Sequence, residues 1–377
     1  MDPVTDRIYK KLAKHLDELP AGYPATESGV EISILKRLFT PEEADFAVHL
    51  TPVPETSPVI ARRAGIGKKE ADSRLKRLVR KGLIFCIDRP GRPTLYMASQ
   101  YVVGIWEYQV DNLNEGLIRD MNEYLPTYVN PETWKKAPQL RTIPVGRSVD
   151  AAMHVLSHEK ADELVRDRRK IRLLPCICRR EHAMIGEGCG KPEETCLVFG
   201  SAAYFYEKRG IGRDIGTDEC LEILNQADRE GLVLQPNNAK NITNICCCCG
   251  CCCQILIHLG RHSRPAEIVS SPFYAEYYPD TCMACGVCKD RCQMGAISIL
   301  DDRVALDPDR CIGCGLCITA CPSGSLKLVR KSRENQKPVP ADTMDSNIRL
   351  ARARGKMGRV KMLKMSLESK WDRWLAR

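Results

Sequence analysis

The sequence predicts an α+β protein built from several domains. At 377 residues the chain is longer than one hydrophobic core usually supports, so two to four domains are expected. Segments that favour helices and segments that favour short strands both occur along it. Its 21 cysteines are odd in number and gathered in tight groups, which indicates metal binding rather than a disulfide framework.

Residues 1–99 are predicted to form an N-terminal helix followed by a winged helix-turn-helix. Thr40 and Glu43 match a capping box at the start of a helix over Pro41–Leu50. A short second helix, a glycine turn and a third helix over Lys68–Lys81 come next. Two strands around an Arg-Pro-Gly-Arg turn follow as the wing. A helical linker is expected over residues 100–141.

The third helix of this domain is strongly basic. Its lysines and arginines are Lys68, Lys69, Arg74, Lys76, Arg77, Arg80 and Lys81. A basic recognition helix with wing arginines would suit the DNA major groove, so DNA is kept as an alternative partner. A protein-interaction module or a solvated basic face would give the same pattern.

Two cysteine runs with identical spacing lie within residues 272–330. The first run is Cys282, Cys285, Cys288 and Cys292, and the second is Cys311, Cys314, Cys317 and Cys321. In the bacterial two-cluster pattern the first three cysteines of a run bind one cluster, and the fourth reaches the other. The spacing therefore predicts a dicluster ferredoxin-like domain with two [4Fe–4S] clusters, one bound by Cys282, Cys285, Cys288 and Cys321, the other by Cys311, Cys314, Cys317 and Cys292.

The repeat continues beyond the ligands at the same offset that separates the two cysteine runs. Each half is expected to supply a ligand loop, a short helical turn and a strand. Gln293 stands where the second run has Pro322 and where proline is usual. A structural zinc site could use any CxxC pair, but eight cysteines in two such runs favour iron–sulfur ligation.

Residues 142–271 form a cysteine-rich segment, for which an α/β domain is predicted. Helices are expected over 151–168 and 218–230, and strands over 171–174 and 232–234. A further centre, expected to be an iron–sulfur cluster, is predicted to use a subset of Cys176, Cys178, Cys189, Cys196, Cys246, Cys248, Cys249, Cys251, Cys252 and Cys253. By number alone, Cys176, Cys178, Cys189 and Cys196 would complete one four-cysteine set. Because neighbouring cysteines in an extended chain face opposite sides, no compact cluster can use the whole 246–253 run.

Three other side chains of this segment carry specific expectations. Arg179 and Arg180 would offset the negative charge of thiolate-bound iron. His182 is left open as a ligand, a proton donor or a hydrogen-bonded buried histidine. Cys220 and, in the first domain, Cys86 are interpreted as small apolar core residues.

The CxCR opening at Cys176, the PEETCL element ending at Leu197, the CCxCCC run and the dicluster pattern together resemble a family of 4Fe–4S ferredoxin-type proteins of anaerobes. The resemblance covers residues 31–325. It implies an electron-transfer subunit or partner of a larger oxidoreductase, and it names no substrate. Its members usually have another residue where Cys247 stands, so the resemblance makes Cys247 the least expected ligand of the 246–253 run.

Residues 331–377 are a polar linker followed by a basic amphipathic helix. Residues 326–377 contain fifteen lysines and arginines against five acidic residues. Their net charge of +10 is larger than that of the whole chain, which is +9. Val360, Leu363, Leu367, Trp371 and Trp374 recur at helical spacing. This stripe is expected to dock on protein, with contact to an anionic membrane surface as the alternative.

The sequence thus favours an electron-transfer protein that works with redox partner proteins in the cytoplasm. No signal-peptide pattern and no transmembrane segment are seen. A redox-sensing DNA-binding regulator is one alternative, and an oxidoreductase whose chemistry occurs in the cysteine-rich domain is another. Whether the chain is itself an enzyme and how it oligomerises are left open by the sequence.

Overall fold

The computed structural model describes residues 3–89, 91–150, 153, 155–301, 303–356 and 367–374. The helices are α1 (Pro3–Asp17), α2 (Val30–Leu38), α3 (Pro41–Ala47), α4 (Ser57–Ala64), α5 (Lys68–Lys81), α6 (Glu115–Tyr128), α7 (Pro131–Lys136), α8 (Ala161–Arg166), α9 (Ile177–Met184), α10 (Ser201–Lys208), α11 (Thr217–Arg229), α12 (Gln254–Arg261), α13 (Pro265–Ile268), α14 (Val287–Arg291), α15 (Leu316–Thr319) and α16 (Thr343–Ala353). The strands are β1 (Glu55–Thr56), β2 (Ile84–Ile87), β3 (Leu95–Ala98), β4 (Ile171–Pro175), β5 (Glu194–Phe199), β6 (Arg213–Ile215), β7 (Val233–Pro236), β8 (Asn244–Cys248), β9 (Phe273–Tyr277), β10 (Ile297–Leu300), β11 (Arg303–Leu306) and β12 (Leu326–Arg330). Mixed helix and sheet agrees with the predicted α+β class.

The chain divides into two compact units. The first comprises residues 1–130, 204–211 and 347–377, and the second comprises residues 131–203 and 212–346. Both cysteine-rich parts of the sequence therefore belong to the second unit. Within the described residues, no helix has the length and apolar character needed to cross a membrane.

In the first unit, helices α3 to α5 and a three-stranded sheet in the order β1-β3-β2 lie where the winged-helix-like domain is predicted. Thr40 Oγ1 accepts a hydrogen bond from the Glu43 amide at 3.3 Å, and the Glu43 carboxylate accepts one from the Thr40 amide at 2.9 Å. The predicted capping box therefore begins α3. The helix ends at Ala47 rather than Leu50, because the last amides bond to carbonyls closer along the chain, in tighter turns.

The C-terminal helical residues 367–374 contact the rest of the first unit through polar groups. Ser369 is buried and donates to Glu55 at 2.8 Å, while Asp372 pairs with Arg63 at 2.8 Å. The side chains of Trp371 and Trp374 remain exposed. Of the predicted apolar stripe, Val360 and Leu363 lie outside the described residues.

The second unit is built on a five-stranded antiparallel sheet in the order β6-β4-β5-β8-β7. Strands β4 and β7 and helix α11 lie close to their predicted positions, whereas β5, β6 and β8 were not predicted. The expected single long helix over 151–168 is wrong for residues 155–168, and residues 151, 152 and 154 lie outside the described residues. A 3-10 turn over Ser157–Glu159 precedes α8. The Glu159 carboxylate accepts a hydrogen bond from the Leu156 amide, so a separate capped turn begins at this point.

Residues 272–330 form two halves related by the predicted offset. Helix α14 begins at Val287 and α15 at Leu316, while strand β10 begins at Ile297 and β12 at Leu326. Both separations equal the offset between the two cysteine runs. Strand β12 pairs with β9 and β10 pairs with β11, in both cases antiparallel. A small core of buried alanine, valine, isoleucine, leucine and cysteine side chains lies between the two halves.

Candidate metal centres

Four cysteines of the ferredoxin-like module line one cavity of about 310 Å³, a volume that includes its open mouth. They are Cys282, Cys285, Cys288 and Cys321. Three come from the loop before α14 and from α14 itself, whereas Cys321 comes from the end of the second half. We call this set the first ferredoxin site.

The other four line a second cavity of about 390 Å³, measured in the same way. They are Cys311, Cys314, Cys317 and Cys292. The fourth cysteine of each run thus lies with the first three of the other run, as the two-cluster pattern requires. We call this set the second ferredoxin site.

Backbone amides point at the sulfur atoms of both ferredoxin sites. The Ala296 amide donates to Cys292 Sγ at 3.1 Å, and the Ala275 amide donates to Cys311 Sγ at 3.3 Å. In the first site the Ala284 amide donates to Cys282 Sγ at 3.4 Å. Such donors stabilise thiolates, so the chemistry and the crossed arrangement of the eight cysteines fit iron–sulfur ligation.

The two ferredoxin sites differ in exposure. In the first, the Cys285 side chain is exposed, and Met283 beside it is 62% exposed. In the second, Cys311 and Cys317 are buried, and burial raises the pKa of the Cys314 thiol to about 12. A thiol with a raised pKa stays protonated at neutral pH, whereas a coordinated metal ion deprotonates it outright. The Cys314 sulfur therefore becomes a thiolate ligand only when a metal ion is bound.

The register of the five-stranded sheet brings cysteines from distant segments together. Cys196 on β5 lies directly opposite Cys246 on β8, and Cys246 also faces Gln235 on β7. Side chains alternate along a strand, so Cys246 and Cys248 lie on the same face of β8. Cys247 lies on the other face, where it is buried.

Six thiols meet near this end of the sheet. They are Cys176, Cys178, Cys196, Cys246, Cys248 and Cys253, which we call the six-thiol group. Neighbouring thiols of the group lie close enough to shift the pKa of one another: Cys176 and Cys178, Cys178 and Cys253, Cys253 and Cys248, Cys248 and Cys246, and Cys246 and Cys196. Cys176 and Cys253 each precede a helix, α9 and α12, so two helix starts and two strands build the group.

Within the six-thiol group, some thiols favour the thiolate form. Hydrogen bonds from Cys196 and Cys248 hold the pKa of Cys246 well below its ordinary value. Hydrogen bonds from Cys178 and Cys248 do the same for the pKa of Cys253. The group therefore offers soft anionic sulfur ligands, of which Cys248 and Cys253 are buried and the other four are partly exposed. Such a donor set suits iron or zinc.

Four further cysteines form a separate and tighter set, which we call the four-thiol group. Its members are Cys189, Cys249, Cys251 and Cys252. All their Sγ atoms lie within 4.8 Å of one another. Cys189 therefore lies with the later run, not with Cys176, Cys178 and Cys196 as the four-cysteine count suggested, because the loop after α9 carries it to the turn after β8.

Arg179 lies between the two groups. Its guanidinium donates to the Cys247 carbonyl at 2.7 Å, to the Pro192 carbonyl at 2.9 Å and to the Thr195 hydroxyl. Burial works against its charge, but the nearby Cys176 and Cys249 sulfurs raise the pKa of Arg179. Because those sulfurs belong to different groups, one cation offsets the charge of both.

The neighbouring polar residues have more ordinary roles. Arg180 pairs with Glu193 at 2.6 Å. His182 is buried, with Nδ1 2.8 Å from the Cys178 carbonyl oxygen, which corresponds to the hydrogen-bonded buried histidine among the three alternatives. Cys86 and Cys220 are buried in apolar surroundings that raise the pKa of each thiol, as expected for core cysteines.

Sequence reasoning missed how the module joins the cysteine-rich domain. Gln293 directly follows Cys292 of the second ferredoxin site, and its side-chain oxygen accepts a hydrogen bond from the Gly250 amide at 2.6 Å. Gly250 lies between Cys249 and Cys251 of the four-thiol group. The absence of the usual proline at position 293 was the one available signal, since proline could not make this bond.

A second joint lies at the end of α11. The buried Asp228 carboxylate accepts hydrogen bonds from the Thr319 hydroxyl at 2.6 Å and from Arg147 at 2.7 Å. Arg291, at the end of α14, donates to the Asp228 carbonyl at 2.6 Å. No motif marks Asp228, because its role depends on partners far away in the chain.

Comparison with known proteins supports the module alone. Residues 273–325 match a family model described as a 4Fe-4S dicluster domain, and residues 303–361 match a second model with the same description. No curated protein and no solved structure matches the chain. The module is therefore of the 4Fe–4S ferredoxin type.

Proposed function

We propose that this chain is an iron–sulfur electron-transfer protein with two [4Fe–4S] clusters in its ferredoxin-like module and a further metal centre in its cysteine-rich domain. The observation that carries the proposal is the pair of crossed four-cysteine cavities, one of which adjoins the thiol-rich loop through Gln293. When bound, each cluster supplies a reversible one-electron couple. The residues of the chain would hold the clusters, set their exposure and keep the neighbouring centre in place.

The contacts between module and cysteine-rich domain support exchange of electrons between them. The bond from the Gly250 amide to Gln293 lies next to a ligand of the second ferredoxin site and next to two members of the four-thiol group. The Asp228 contacts hold α14 and α15, the two ligand-bearing helices, against α11. Close, fixed contact between metal sites favours transfer without a diffusing carrier.

The exposed rim of the first ferredoxin site supports a redox partner protein. Met283 is 62% exposed, Val287 is 41% exposed and Tyr278 is 41% exposed. Apolar side chains around an accessible redox site suit the small, weak interfaces of electron-transfer encounters. A partner would therefore exchange electrons at the first site, and the second site would face the interior of the chain.

The six-thiol group is the proposed position of the additional centre. Its thiols are enclosed by two helix starts and two strands, and Arg179 supplies a positive charge beside Cys176. An iron–sulfur cluster held there would be partly shielded from water, on the side of the buried Cys248 and Cys253, and solvent exposure affects its potential. The alternative that this domain carries out substrate chemistry rests on the same group and would need a path for substrate.

DNA binding receives less support. In α5, Lys68 pairs with Asp72 and Arg74 pairs with Glu70. Arg77 and Lys81 both pair with the buried Glu43 carboxylate. Four of the seven basic side chains of the helix thus have acidic partners, which weakens the electrostatic attraction for phosphate.

The test begins with protein purified without oxygen. Iron and acid-labile sulfide should exceed about eight of each per chain, the content of two [4Fe–4S] clusters, if a further iron–sulfur centre is present. EPR of the reduced protein should contain the interacting signals of two neighbouring clusters. Fewer than about four irons per chain in fully folded protein would overturn the proposal.

Two variants test the crossed ligand sets. Cys292→Ser should remove the cluster of the second site and keep that of the first, and Cys321→Ser should do the reverse. Cys86→Ser, in the other compact unit, is the matched control and should change neither signal. Loss of the same signal in both ligand variants would contradict the crossed arrangement.

A further inference from the structure

The spacing of the four-thiol group carries an inference about what it binds. In a tetrahedral site with metal–sulfur bonds of about 2.3 Å, the sulfur atoms lie about 3.8 Å apart. Cys189 Sγ and Cys249 Sγ are 3.9 Å apart, and so are Cys251 Sγ and Cys252 Sγ. All four sulfurs stay within 4.8 Å of one another. The group thus has the size of a shell around one metal atom.

The ferredoxin sites of the same chain supply the contrast. In a [4Fe–4S] cluster each cysteine binds a different iron, so the four cysteine sulfurs surround the whole cluster and lie farther apart. The two ferredoxin sites enclose cavities of about 310 and 390 Å³, and neither meets the spacing of the four-thiol group among the described residues. One chain therefore holds two kinds of four-cysteine site, which differ in size.

The surroundings also suit a bound cation with four thiolates. Such a centre carries a net negative charge with a divalent ion, and Arg179 contributes a positive charge beside Cys249. The Lys191 amide donates to Cys189, and the Cys252 amide donates to Cys249. Hydrogen bonds of this kind to ligand atoms orient them and stabilise the thiolate form.

We propose that Cys189, Cys249, Cys251 and Cys252 bind a single tetrahedral transition-metal ion, of the Zn²⁺ or Fe²⁺ class, separate from every iron–sulfur cluster of the chain. Binding releases the thiol protons to solvent and changes no oxidation state. The ion joins the loop after α9 to the turn after β8. Its structural role is to fix Gly250, the residue that Gln293 contacts, and so to hold the ferredoxin-like module against the cysteine-rich domain.

The first test is X-ray absorption on the full-length protein purified without oxygen, with metal analysis of the same sample. One equivalent of zinc is expected, with four sulfur scatterers at about 2.3 Å and no metal–metal scattering. If zinc is absent, an iron bound only by sulfur, distinguished from clustered iron by Mössbauer spectroscopy, would support the same site. Neither ion in folded protein, or metal–metal scattering around the zinc, would overturn the proposal.

Variants assign the ion to these residues. Cys251→Ala, at an exposed position, and Cys189→Ala should each lose the one equivalent while acid-labile sulfide stays unchanged. Cys220→Ala is the matched control, because Cys220 is a buried cysteine of the same unit outside both thiol groups, and it should keep the ion. Loss of sulfide in Cys251→Ala would show that the group ligates a cluster and would refute the proposal.

This inference adds to the proposed function without depending on it. Protein with the single ion but without sulfide would sink the electron-transfer proposal alone. Protein with full cluster content, but with the ion retained in both Cys189→Ala and Cys251→Ala, would sink only the inference.

Discussion

Gly250→Ala is the sharpest probe of the joint between the ferredoxin-like module and the cysteine-rich domain. A Cβ at position 250 would lie 2.7 Å from the Gln293 carbonyl oxygen and 3.1 Å from its side-chain oxygen, whereas ordinary contact begins at 3.4 Å. The two loops must therefore separate by about 0.7 Å. Because the nearest atom belongs to the backbone, no side-chain rotation relieves the clash.

The expected cost follows from two effects. Overpacking of this kind costs about 1–3 kcal/mol, and loss of the bond from the Gly250 amide to Gln293 adds about 1 kcal/mol. We expect a destabilisation of about 2–4 kcal/mol. For a unit of this size that lowers the thermal midpoint by roughly 4–16 °C.

The assay is thermal unfolding of the full-length, metal-loaded protein without oxygen, at one fixed scan rate. Gly146→Ala is the matched control, because a Cβ there meets nothing within 4 Å and its backbone has no positive φ. Gln293→Ala should cost less than Gly250→Ala, since it removes the hydrogen bond but leaves the backbone oxygen in place. A midpoint for Gly250→Ala within about 1 °C of the Gly146→Ala control would refute the reasoning.

Two other predictions concern charge. Arg179→Met should destabilise the protein by about 3–5 kcal/mol and lower its metal content, because the thiols beside Arg179 would lose their buried counter-charge. Arg180→Gln is the control: it breaks a half-exposed ion pair and should cost no more than about 1 kcal/mol. Although partial burial opposes ionisation, hydrogen bonds from Lys356 and from the Tyr23 amide lower the pKa of Asp17, so its stabilisation is present above about pH 4 and is lost below. In denaturant titrations, Asp17→Asn should lower the free energy of unfolding by about 1 kcal/mol equally at pH 8 and pH 5, and by less near pH 3. Asp45→Asn, which breaks an exposed ion pair, is the control. A loss of stability in Asp17→Asn that changes between pH 8 and pH 5 would contradict the argument.

Much of the ferredoxin-like module could be predicted because its information is local. The ligand spacing, the constant offset between the two halves and the start of each half all lie within residues 272–330, so pattern alone indicates which cysteines can share a site. The capping box at Thr40 and the extent of α5 are local in the same sense. Chain-local hydrogen bonds and helical periodicity decide such features before any long-range packing.

The grouping of the cysteines between 176 and 253 could not be predicted in this way. It depends on the pairing of β5 with β8, which brings Cys196 opposite Cys246 although two helices and two strands separate them along the chain. A shift of one residue in that register would turn Cys247 toward the six-thiol group and Cys246 away from it. The sequence shows where the cysteines are, but it does not reveal the register in which β5 and β8 pair.

The sequence by itself thus determined the number of cysteines and predicted which four line each ferredoxin site. Only the tertiary structure decided that the remaining ten candidate cysteines divide into six and four, and that Cys189 belongs with the later run. The same holds for Gln293. In the sequence it is only a departure from the usual proline, whereas in the structure its side chain accepts a hydrogen bond from the Gly250 amide. The physical reason is that sheet register and close backbone approach are relations between distant segments, and no local pattern contains them.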